Sequence, residues 1–117
     1  MNPEELKART KRFALDIIKF VNQLPNSRIA EVLGKQVLRS ATSVGANYRS
    51  ACKARSKADF ISKITVVEEE ADECQYWLEL IEGSNLAKLQ TILPLLKEAK
   101  ELTAIFTASG KTAKWGK

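Results

Sequence analysis

Glu70 and Glu73 stand three residues apart, a spacing that puts two carboxylates on one face of a helix. Arg39, Ser43 and Asn47 recur at intervals of four and share a face in the same way. Two chemistries use such sets: a carboxylate metal centre, or a network of ion pairs and hydrogen bonds between neighbouring helices. The 117-residue chain contains no His, which removes the Glu-x-x-His pairs of di-iron bundles and the commonest general base. A Gly-x-x-x-x-Gly-Lys phosphate loop and a Gly-x-Gly-x-x-Gly turn are both missing from the sequence. Cys52 and Cys74 form no Cys-x-x-Cys pair, and their small number fits reduced thiols rather than a disulfide framework. The chain is therefore read as a non-enzyme with no catalytic residue, cofactor or metal. Arg39, Ser43, Asn47, Glu70 and Glu73 are expected to form a structural polar network that fixes helix register.

The second chemistry in the sequence is cationic. Nineteen Lys and Arg against fourteen Asp and Glu give a formal charge of +5, which favours anionic partners. Lys7, Arg9, Lys11 and Arg12 cluster near the start, and Lys111, Lys114 and Lys117 surround Trp115 near the end. Lysine and arginine neutralise phosphates, and an exposed indole stacks on an unpaired base. The expected nucleic-acid residues are Lys7, Arg9, Lys11, Arg12, Lys111, Lys114 and Trp115. The bases of residues 35–63 face a run of acids in residues 66–82, so antiparallel helices there are expected to compensate each other.

These groups have to be positioned by helices. With 44% hydrophobic residues, 28% charged and only 5 Gly and 3 Pro, the chain is a globular protein of one domain rather than a disordered one. It shows neither a signal peptide nor a membrane-length apolar run, which points to a cytoplasmic address. Four stretches carry the helical period. Residues 3–21 place Leu6, Phe13, Ile17 and Phe20 on one stripe. Residues 27–54 place Ile29, Leu33, Val44 and Ala51 on the same stripe as the polar Gln36, Ser40, Ser43 and Asn47. Residues 57–82 repeat Ile64, Val67, Ala71, Cys74, Leu78 and Ile81. Residues 86–108 turn Leu89, Leu93, Leu96, Ala99, Leu102 and Phe106 inward, with Pro94 marking a kink or the end of a lead-in. Short links between long helices predict an all-α, antiparallel up-down-up-down four-helix bundle over residues 1–110. Ser109 and Gly110 then release a basic C-terminal tail, residues 111–117. Leu38, Tyr48 and Cys52 on the back of the second helix, with Tyr76 and Leu80 on the third, form second apolar stripes. Those stripes predict a homo-oligomer.

The run Arg39-Ser-Ala-Thr-Ser-Val-Gly-Ala-Asn-Tyr-Arg-Ser-Ala51, then residues 54–63, then Glu70-Ala-Asp-Glu-Cys-Gln-Tyr-Trp-Leu78, resembles the four-helix-bundle proteins encoded in intervening sequences of bacterial 23S ribosomal RNA genes. Ser50 stands where those relatives commonly place Glu. The resemblance spans nearly the whole chain. It implies a bundle assembling into a ring, typically a pentamer, and a relation to the accessory bundle protein of diversity-generating retroelements, which is associated with nucleic acid. The function expected is RNA or other nucleic-acid binding through phosphate contacts. The alternative is a ring-shaped scaffold that docks a partner protein and binds no nucleic acid.

Overall fold

Three of the four helix starts are written into the sequence as caps. In the computed structural model, which describes residues 1–116, Asn2 and Glu5 exchange side-chain-to-backbone hydrogen bonds of 2.8 and 2.9 Å ahead of α1, Pro3–Asn22. The Ser27 hydroxyl accepts from Ala30 N–H at the start of α2, Arg28–Cys52, and Ser56 accepts from Asp59 N–H at the start of α3, Lys57–Gly83. No side-chain cap precedes α4, Leu89–Trp115. The turn before it is closed by Asn85, whose φ of 60° is a left-handed conformation that Asn tolerates better than most residues.

Each helix lies against its neighbours in sequence, and the contacts of α1 with α4 are sparse. Thr10 meets Gly45, while Val21 and Leu24 meet Gly34, so α1 and α2 run antiparallel. Gln75 bonds Thr103 and Glu68 bonds Thr107, which does the same for α3 and α4. The result is an up-down bundle of four helices measuring 47 × 20 × 19 Å. Its core holds Phe13, Ile17 and Phe20 of α1, Val37, Ala41, Val44 and Tyr48 of α2, and Ile92, Ala99, Leu102 and Phe106 of α4. The expected seam of α3 is reproduced, with Ile64, Val67, Ala71, Cys74, Leu78 and Ile81 all fully buried. Burial first, then the charges of Glu70 and Glu73, push the Cys74 thiol up to about 12, so it stays protonated at neutral pH.

Four expectations need correction. Helix α4 does not stop at Ser109 and Gly110. Gly110 packs within reach of Ile64, and the helix runs on to Trp115, so Lys111 and Lys114 ride on a helix rather than a free tail. Lys117 lies outside the described residues. Tyr48 belongs to the core rather than to an outer stripe, with its ring 5.3 Å from that of Phe106. Burial, then the neighbouring Cys52 thiol, raise its hydroxyl pKa. Ile29, Leu89 and Leu93 face outward, and Ala30 and Ile92 take the inward positions. The polar stripe of α2 lies along the edge of the core: only Ser40 is fully buried, while Gln36, Ser43 and Asn47 are half-buried.

Candidate nucleic-acid interface

An up-down bundle brings the start of α1, the end of α2, the start of α3 and the end of α4 to one end of the molecule. Two basic clusters that lie a hundred residues apart in sequence are thereby gathered on the same pole. The helix stretches nearest that end, residues 1–12, 45–63 and 104–116, carry eleven Lys and Arg against three Asp and Glu. The remaining described residues carry seven against eleven. The molecule is thus a charge dipole, basic at one end and acidic along most of α3.

Not every cation at that end is free. Arg9 donates from Nε and Nη2 to both oxygens of Glu98 at 2.7 and 2.8 Å, and from Nη2 to Glu101 at 2.8 Å. Hydrogen bonding to Glu98 and then to Glu101 outweighs desolvation and raises its pKa, so this guanidinium is a fixed charge committed to α4. Lys7 pairs with the exposed Glu4 at 3.2 Å, and Arg12 stands 3.8 Å from Asp16. Such surface pairs are worth roughly 0 to 1 kcal/mol and are easily exchanged. Among the described residues Lys11, Arg49, Lys53, Arg55, Lys57, Lys111 and Lys114 make no ion pair. Trp115 is 82% exposed beside them. Sequence reasoning missed Arg49, Lys53, Arg55 and Lys57, having assigned them to compensation by α3. Only Arg39 is compensated in that way, and Lys63 instead pairs with Asp59 of its own helix at 2.9 Å.

Two hollows open at the basic end. One, of about 270 Å³, runs between α1 and α2 and is lined by Lys7, Thr10, Lys11, Thr42, Gly45 and Arg49 among others. The second, of about 660 Å³, lies between the start of α3 and the end of α4, beside Lys57, Phe60, Ser109 and Thr112.

The proposed polar network is smaller than its sequence suggested. Arg39 donates to Glu70 at 3.3 Å, to Glu73 at 2.9 Å and to the Ser40 hydroxyl at 3.2 Å. Asn47 stays apart, donating to the Ser43 carbonyl within α2 at 2.8 Å, and the Ser43 side chain takes no part. The Arg39 side chain is 50% exposed and that of Glu73 47%. This is a wetted clamp between α2 and α3 rather than a shielded network. Both carboxylates are turned to one guanidinium, and among the described residues no group of three or more His, Cys, Asp or Glu is placed to hold a metal ion. Among the described residues no helix is long and apolar enough to cross a membrane.

The profile of the 23S rRNA-intervening sequence protein family matches residues 5–108. The chain belongs to that family. As a family member it is similar to a crystal structure from Bacteroides thetaiotaomicron VPI-5482, a protein of unknown function from the S23 ribosomal protein family. The two share 34% identity over 96% of this chain and 100% of that one, with a TM-score of 0.88. No protein of curated function matches. The matched region takes in the α1 cations, Arg49 and the loop between α2 and α3, but ends before Lys111 and Trp115.

Proposed function

We propose that this family member is a non-enzymatic, cytoplasmic oligomer that binds RNA or another nucleic acid through its phosphates. The observation that carries the reading is the excess of cations on one end, eleven Lys and Arg against three Asp and Glu drawn from all four helices, away from most of the acids of α3. Recognition of this kind is electrostatic and reads backbone rather than sequence.

A salt titration of binding to single-stranded RNA tests it. Three to four phosphate contacts give a slope of roughly −2 to −3 in log affinity against log salt, so doubling the salt weakens binding about fivefold. Affinity indifferent to salt, or no binding at low salt, overturns the reading. Co-purification of a defined partner protein without nucleic acid would then favour the scaffold.

Assembly into a ring, a pentamer as the resemblance to the retroelement accessory bundle implies, is the second part of the proposal. Its support is apolar surface: Leu15, Ile18, Ile29, Val32, Leu89 and Leu93 are between 39 and 54% exposed. Single exposed apolar residues are ordinary, but pairs one turn apart on three helices exceed that. Light scattering is expected to give a mass of several chains, and a stable monomer refutes the ring.

A further inference from the structure

We propose that the groove between α1 and α2 seats one backbone unit of a single-stranded nucleic acid, with its phosphate held by Lys7, Lys11 and Arg49. This deepens the reading above and rests on it. Lys7 and Lys11 are one helical turn apart, so both ammonium groups reach over the same hollow, and Arg49 closes on it from the opposite wall. Lys11 and Arg49 make no ion pair among the described residues, and Lys7 has only the exchangeable Glu4.

The floor is built from small groups. A Cβ at Gly45 would stand 3.3 Å from Thr10 Oγ1, so the depth of the groove depends on that glycine, with Ala14 and Ala46 beside it. Thr10 and Thr42 donate their hydroxyl protons to the Leu6 and Leu38 carbonyls at 2.8 and 2.9 Å. With their hydroxyl protons committed they offer no spare donor, so the phosphate is held by charge. At about 270 Å³ the hollow falls just short of the usual small-molecule site, roughly 300 to 1,000 Å³, and fits a fragment of a polymer better than a whole dinucleotide. A strand free of its complement can settle into such a groove, whereas a duplex meets only the rim. Trp115, exposed at the same end, offers an unpaired base a stacking face.

The test is fluorescence anisotropy with a short labelled single-stranded RNA and an unlabelled duplex of the same sequence as competitor. Lys11→Gln with Arg49→Gln removes two charges from the groove, and Lys53→Gln with Lys111→Gln removes two elsewhere on the same end. All four residues are exposed, as is Ala46. The groove pair is expected to weaken binding about tenfold and to make the salt slope shallower by about 0.7, the share of the one single-strand phosphate it unseats. The control pair is expected to cost less than about threefold, because a diffuse field loses the same charge without losing a seated phosphate. Ala46→Leu narrows the groove without changing charge and should weaken binding about fivefold with the same loss of about 0.7 in slope, since it unseats the same phosphate. Equal losses from the two pairs, or a duplex that competes as well as the single strand, overturn the groove while leaving phosphate binding standing. Failure of the unaltered protein to bind RNA at low salt overturns both.

Discussion

Phe106→Ala is expected to lower the free energy of unfolding by about 3 to 5 kcal/mol, the usual cost of deleting a buried phenyl ring. Phe106 is fully buried on α4, and its ring meets that of Tyr48 on α2 at 5.3 Å and 47°, across the bundle. It therefore joins two helices that are not neighbours in the up-down order. Truncation opens a cavity at that crossing and strips Tyr48 of an aromatic partner worth roughly 0.5 to 1.5 kcal/mol beyond its area. A domain of this size has only about 5 to 15 kcal/mol in hand, so the midpoint of thermal unfolding should fall by roughly 10 to 20 °C. Lys100→Ala is the matching control: Lys100 is exposed on the same helix, and its loss should change stability by no more than about 0.5 kcal/mol. Urea unfolding followed by circular dichroism measures both. A cost below about 1 kcal/mol for Phe106→Ala would mean that the α2–α4 contact does not hold the bundle together.

The contrast between α3 and α2 explains what the sequence disclosed and what it withheld. Helix α3 is covered by α2 on one side and α4 on the other. Its burial follows one uninterrupted seam of six residues, and the three-four spacing locates it completely. Helix α2 sets small residues at its closest approaches, Gly34 and Gly45 against α1, and buries Ala30, Ser40, Ala41 and Ala51 within the bundle. Small side chains weigh little in any hydrophobic projection. The bulky Ile29 and Leu33 therefore pulled the inferred face towards the edge, carrying Gln36, Ser43 and Asn47 inward with them. On α4 the large Leu89, Ile92 and Leu93 crowd one turn, and three-four spacing alone does not decide that Ile92 is the one buried. At the basic end the obstacle was distance along the chain. Lys11, Arg49, Lys57 and Lys114 are far apart in sequence, and only the alternation of helix direction unites them. The residues that form the candidate site could thus be named from charge in part, but their gathering required the topology.

Arg9 separates structural charge from binding charge most sharply. Its guanidinium forks onto Glu98 and reaches Glu101 across the thinnest seam of the bundle, where α1 and α4 otherwise touch little. The Arg9 side chain is 23% exposed and that of Glu98 28%, so the pair is only partly wetted. Arg9→Met keeps the aliphatic stem, removes the fork and leaves two carboxylates facing each other without a cation. The expected cost is about 2 kcal/mol, in keeping with hydrogen bonds to charged groups, and the thermal midpoint should drop by roughly 6 to 10 °C. Replacing Glu98 and Glu101 by Met in the same background should recover much of that loss, because an apolar seam costs less than orphaned charges. The salt slope of RNA binding should stay where it was, since Arg9 releases no counterion from the nucleic acid. Lys11→Gln is expected to behave in the opposite way, with stability held within about 0.5 kcal/mol and the slope shallower by up to about 0.7. If Arg9→Met instead flattens the slope while the melting temperature holds, the guanidinium faces phosphate rather than α4, and the division between strut and contact fails.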